Sequence, residues 1–166
     1  MSLERITDEF ISTLLSCPKR ISNPQTRAKQ KEGHEQLNYL TKAIDDSGFE
    51  FVIYTRQNLR KGMEDDFSCG IRWVAPSGET LTLKRYNGPS HKHANQLEKE
   101  VLPYACHIHT ASEKYLNANK KAEGYAEITE RYTTLQGALR CLLHDCCVSG
   151  LNIAPDDSTQ TKLFNE

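Results

Sequence analysis

Three segments in the middle of the chain alternate in hydropathy with a period of two and follow one another closely. They are FEFVIYTRQN (49–58), FSCGIRWVA (67–75) and ETLTLKRY (79–86). Alternation of this kind marks strands with one face buried and the other in water. The PSG stretch (76–78) forms a tight hairpin turn between the last two, and the polar LRKGMEDD separates the first two. Consecutive strands with short polar connections build an antiparallel meander. In the third segment the alternation assigns Leu81, Leu83 and Arg85 to one face, and Thr80, Thr82, Lys84 and Tyr86 to the other.

The flanks supply helices. Ile6, Phe10, Ile11, Leu14 and Leu15 stand at helical spacing over residues 4–16, with Pro18 and Pro24 beyond. TTLQGALRCLLHDCCV (133–148) reads as a closing helix capped by Thr133 or Thr134, with Gly150 after it. Residues 33–46 fit a helix or a strand. Residues 87–105 read as a long connector, CHIHTA (106–111) as a short strand and EGYAEITERY (123–132) as a last one. The expected fold class is α+β: an antiparallel β-sheet meander with N-terminal and C-terminal helices packed on one face. It forms a single domain over residues 1–150, with residues 151–166 as a flexible tail. The second sheet face is left free for a site.

Composition narrows the function. Formal net charge is −1, so any attraction to nucleic acid must come from a local patch. One candidate is KRISNPQTRAKQK (19–31), with five cationic residues and no acidic one; alone, it reads as a solvated connector. The six cysteines form no CxxC pair, and they read as reduced, mostly buried thiols. Cys141, His144 and Cys146 do not share one helical face, so they make a poor zinc site. No apolar run approaches the roughly 18 residues that cross a bilayer. A soluble, cytoplasmic protein without membrane contact is expected.

Histidines carry the functional signal. RYNGPSHKHAN (85–95) and CHIHT (106–110) place four of the six histidines within residues 91–109, beside Arg85. HxH in a strand puts His107 and His109 on one face. One use is acid–base chemistry: histidine titrates near neutral pH, and a pair supplies a base and an acid. Arg85 would hold the phosphate with its planar fork, and Arg56 and Arg72 would broaden the patch. A second use is metal binding, since two HxH pairs can converge on one ion. HKHANQLE also has the HxHx4E shape of half a cupin metal motif, although no second half follows.

CPKRI, YTRQN, LKRYNGPSHKHAN, CHIHTASEKY and TLQGALRCLLHDC together span about residues 10–150. With these features the chain resembles a family of small, uncharacterised bacterial proteins related to toxin-like members of toxin–antitoxin modules. The resemblance implies a metal-independent ribonuclease of α+β fold that needs no cofactor, with RNA as substrate and an antitoxin as protein partner. Carried over, its motif positions are Arg85, Asn87, Gly88, His91 or His93, His107 and His109. The catalytic set is then Arg85, His91, His93, His107 and His109; Arg56, Arg72, Asn87 and Gly88 bind substrate. The alternatives are a non-catalytic phage or mobile-element accessory protein that binds a protein partner, and a histidine-coordinated metalloprotein.

Overall fold

A computed structural model of the chain describes residues 6–153. In chain order its elements are α1 (Asp8–Ser16), β1 (Lys19–Ile21), β2 (Lys29–Lys31), β3 (His34–Ala43), β4 (Glu50–Asn58), β5 (Phe67–Val74) and β6 (Thr80–Asn87). Then follow β7 (His93–Asn95), β8 (Glu100–Leu102), β9 (His107–Thr110), α2 (Glu113–Asn117), β10 (Tyr125–Ile128), α3 (Leu135–Asp145) and β11 (Val148–Ser149). The fold is α+β. Its main sheet runs β10-β9-β6-β5-β4-β3-β1-β11, with β2 also paired to β3. All its pairings are antiparallel except β1 with β11. No helix among the described residues is long and apolar enough to cross a membrane.

The segment that fitted both helix and strand is β3. Its outer edge is shared: β2 pairs with His34–Gln36 and β1 with Thr41–Ala43. Glu32 and Gly33 join β2 to β3, both at positive φ (52° and 79°). Two such residues in succession make the hairpin turn whose twist matches paired strands. Half of the cationic stretch 19–31 is therefore ordered strand rather than connector.

One face of the sheet holds the core. Tyr39, Phe51, Ile53, Ile71, Trp73, Leu81 and Tyr86 are buried there beneath α1 and α3. Phe10 of α1 meets Trp73 and Phe49 edge-on, at 5.2 and 5.9 Å between ring centroids. Thr7 and Thr134 cap the two helices by accepting from Phe10 N and Gly137 N. The two terminal helices thus pack on one face, as the sequence suggested. α2, which no periodicity announced, is tied to the start of α1 by reciprocal Asp8–Glu113 hydrogen bonds, and its Leu116 packs against the core.

The alternation in β6 is broken by one residue. Ile71 pairs with Lys84 but Arg72 pairs with Thr82, so Leu83 is an extra residue. Leu81 and Leu83 stay on the core side, and after the bulge Tyr86 is also inward. Arg85 and Asn87 therefore emerge on the opposite face, not beside Leu81 and Leu83 as strict alternation implied. The connector 87–105 is also corrected, because it contains the β7–β8 hairpin. At the C-terminus, Leu151 and Ile153, placed by the sequence reading in the tail, pack against the core; the rest of the expected tail, residues 154–166, lies outside the described residues.

The six cysteines form no disulfide, and Cys17, Cys69, Cys106 and Cys146 are buried. Lys19 is buried too, fully, where α1, β1 and α3 converge. Its Nζ donates to the carbonyls of Leu15, Cys17 and Cys146 at 2.8–2.9 Å. Burial lowers its pKa, and three donors on three acceptors compensate the charge. Replacing Lys19 with methionine leaves those carbonyls without their donor. We expect a loss of roughly 3 kcal/mol of unfolding free energy by urea denaturation. The exposed Lys42, 3.8 Å from Glu50, should change stability by only about 0.5 kcal/mol when replaced with methionine. Equal effects of the two substitutions would remove this role for Lys19.

Candidate functional site: a polar sheet face with a histidine cluster

Register explains the site. One transverse row crosses five strands as Gln36, Arg56, Ser68, Asn87 and His107, and Lys29 of β2 extends it. The next row runs Asn38, Tyr54, Gly70, Arg85 and His109. Both rows lie on the face away from the core. Gly70 is bare because Tyr54 lies across it: a Cβ there would meet the tyrosine ring at 2.7 Å. Arg72 covers Tyr54 from outside, its guanidinium carbon 4.5 Å from the ring centroid.

The four histidines come together at one end of this face. His107 and His109 are adjacent on β9, and β7 lays His93 over them. Ring centroids of His93 stand 5.7 Å from His107 and 4.6 Å from His109, while His91 is 5.1 Å from His107. The hairpin is fastened by Asn95, whose fully buried carboxamide donates to Ala126 O at 2.9 Å and accepts from Ala126 N at 2.8 Å. It closes the exposed side of β10 as a neighbouring strand would.

Hydrogen bonds determine the tautomers. A carbonyl only accepts, so Nδ1–H of His107 donates to Ala105 O (2.8 Å) and Nδ1–H of His109 donates to Glu123 O (2.7 Å). Both Nε2 atoms then carry lone pairs. Asn87 Nδ2 lies 3.3 Å from one and 3.5 Å from the other. Burial holds both imidazoles below their usual pKa, and His109 is lowered to about 2 by desolvation, then by Arg85. Both are neutral at physiological pH. His93 differs: it is partly exposed, and its Nε2–H donates to Gly124 O (2.8 Å) and Asn95 Oδ1 (3.0 Å). Its Nδ1 carries the lone pair. His91 is exposed, with Nδ1 3.3 Å from Ser90 Oγ.

Arg85 is half-held. Nη1 donates to Glu123 Oε2 and Nη2 approaches His109 Nε2, at 3.3 and 3.5 Å. Its Nε and the Oδ1 of Asn87 are buried without a partner. Unmet buried polar atoms each cost about 1–3 kcal/mol, and two of them side by side single out Arg85 and Asn87 as candidate ligand contacts. Arg85 also stands between two cavities. One, of about 410 Å³, is lined by His93, Gln96, His109, Tyr115, Lys120, Lys121 and Glu123. The other, of about 590 Å³, spreads over β2–β5.

The sequence-derived candidates divide accordingly. Arg85, Asn87, His93, His107 and His109 gather in one constellation, with His91 at its rim. Arg56 and Arg72 line the larger cavity with Arg85, and among the described residues no ion pair ties Arg56 to Glu64, Asp65 or Asp66. Gly88 is a packing position instead: its N–H donates to Phe67 O (3.0 Å), and a Cβ would collide with the Asp65 backbone and the Phe67 ring. Glu123, Asn95, Lys120 and Lys121 were not singled out; Glu123 is 38 residues from Arg85 in the chain, and no local pattern links them. Among the described residues no group of three or more His, Cys, Asp or Glu is arranged to hold a metal ion. In the histidine cluster the converging Nε2 atoms of His107 and His109 already face Asn87 Nδ2.

Comparisons with protein-family models, curated proteins and solved structures find no match to this chain.

The neutral state of His109 sets a pH dependence. Its folded pKa is depressed, so below about pH 6.5 the unfolded chain takes up a proton that the folded chain refuses. Stability is therefore lost as pH falls from about 6.5 towards 2. Between about pH 7 and pH 5 the wild-type chain should lose up to about 2 kcal/mol more unfolding free energy than His109→Gln. Urea titrations at the two pH values measure it. Equal losses in both proteins would mean that His109 is protonated in the fold.

Proposed function

We propose that the chain is an RNase-like RNA-binding protein of the cytoplasm, in which Arg85 holds a phosphodiester beside the histidine cluster. The observation that carries this reading is the state of Arg85. Its guanidinium stands between two cation-lined cavities, held by two long contacts, with Nε unmet. Phosphate oxygens match its fork, and Lys120 and Lys121 across the smaller cavity add positive charge.

The proton-transfer roles shift within the cluster. With a pKa near 2, His109 is too weak a base at neutral pH and has no extra proton to give, and burial weakens His107 as a base in the same direction. His107 and His109 therefore act as fixed neutral acceptors that orient Asn87 and Arg85. His93 and His91 are the histidines accessible to a ligand. In the step we propose, His93 Nδ1 removes the ribose 2′-OH proton, and the 2′-oxygen bonds to phosphorus. The bond from phosphorus to the 5′-oxygen breaks, and protonated His91 supplies the proton to that leaving oxygen. A 2′,3′-cyclic phosphate and a free 5′-hydroxyl result. Arg85 stabilises the charge that develops on the non-bridging oxygens. An antitoxin-type partner would present acidic groups to this face.

The test is cleavage of single-stranded RNA by the purified chain. His93→Ala and His91→Ala should each slow it roughly 10²–10⁴-fold, and Arg85→Ala should do so by about 10² or more. Full cleavage by His93→Ala would overturn the assignment of the base, and intact RNA after prolonged incubation with the wild-type chain would overturn the reading.

A further inference from the structure

The proposed cleavage step leaves the larger cavity unused. Six cations line it, namely Lys29, Lys31, Arg56, Arg60, Arg72 and Arg85, against a single carboxylate, Glu32, among its described lining residues. The chain as a whole carries a formal charge of −1, so positive charge is concentrated here rather than spread. It is also left uncompensated. Salt bridges bind none of these six except Arg85 among the described residues. Arg60 Nη2 instead donates to the carbonyl of Glu32, packed over bare Gly33.

Lys29 and Arg56 lie on one line across the sheet. Lys29, Gln36, Arg56, Ser68, Asn87 and His107 are successive cross-strand partners. With strands about 4.8 Å apart, the path from Lys29 to Asn87 measures roughly 19 Å. That is long enough for several phosphates, and it ends beside the guanidinium that holds the reacting one. Above the line, the Arg72 guanidinium carbon stands 4.5 Å over the Tyr54 ring centroid, on the side of the ring away from Gly70. Arginine planes of this kind stack on unpaired bases, which a duplex does not present.

We propose that this cavity is the track for the single-stranded RNA flanking the phosphodiester at Arg85, with Arg72 as a base-stacking platform; the proposal rests on the RNase-like reading of that site. Phosphates lie along Lys29, Lys31, Arg56 and Arg60, and bases turn towards Arg72.

The experiment is a salt titration of oligouridylate binding to the full chain, followed by fluorescence anisotropy. For single strands, log K falls with log salt by about 0.7 per phosphate contact. Lys29→Gln, Lys31→Gln and Arg60→Gln combined should reduce that slope by about 2 and weaken binding more than tenfold at moderate salt. These side chains are exposed, and an unchanged thermal midpoint verifies the fold. Arg72→Lys keeps the charge but not the plane, so it should weaken binding with the slope unaltered. A wild-type slope in the triple variant overturns the track. Equal competition by duplex RNA or polyglutamate overturns its single-strand character. If the slope falls as expected but wild-type chain leaves the bound RNA intact, the track stands and the cleavage reading alone fails.

Discussion

The site depends on one extra residue in β6. Before Leu83, side chains of this strand alternate between core and water; after it the phase is reversed. Without the bulge Arg85 and Asn87 would point beneath α1 and α3, where a guanidinium has no partner and burial of its charge is prohibitive. With it Tyr86 takes the inward position, and its hydroxyl reaches Asp145 of α3 at 2.5 Å. A single insertion thus serves both faces: it completes the core with Tyr86 and delivers Arg85 to the row that contains His109. Bulges are placed where a strand must re-aim a side chain, and this one stands two residues from the guanidinium it redirects.

The second determinant is the hairpin that covers β9. His107 and His109 would titrate in the usual range on an open sheet. Segment 88–104 folds over them, anchored by Asn95 on Ala126, and removes them from water. Desolvation then penalises the imidazolium, and the neighbouring guanidinium adds to the penalty for His109. The same covering hairpin brings His93, which keeps partial access. Four histidines of one residue type therefore carry two different properties, and the difference comes from depth below the hairpin rather than from spacing in the chain.

This is also where the sequence was readable and where it was not. The strands β4, β5 and β6 were visible because each is long, half-buried and alternating. The two terminal helices were visible because their apolar stripes and caps are local features. His107 and His109 on one face followed from HxH alone. By contrast, the bulge leaves the pattern of ETLTLKRY intact, so the face of Arg85 could not be read from it. β7 and β8 are three residues each, pair only with each other, and are anchored by a side-chain-to-backbone contact across 31 positions. Glu123 and Lys120 reach the site only because α2 and its following loop return to it. In general, elements whose periodicity reflects burial were legible, and elements held by single tertiary contacts were not.

Charge separation between the faces completes the argument. Cations gathered on one sheet face repel, and a chain of nearly zero net charge has carboxylates enough to neutralise them. Elsewhere it does so: Arg131 is paired to Asp145 at 2.7 Å, and Lys114 to Glu98 at 2.6 Å. Around Lys29, Lys31, Arg56, Arg60 and Arg72 it does not, although Glu35 and Glu50 stand on the strands that carry Arg56 and its neighbours. Strand alternation assigns Glu35 to the opposite side from Gln36 and Arg56. Glu50 lies at the far end of β4, where it faces Lys42. The positive charge gathered around Arg56 stands beside two buried polar atoms without partners, Arg85 Nε and Asn87 Oδ1. An anionic ligand of the proposed kind, lying along that face, would offset that repulsion.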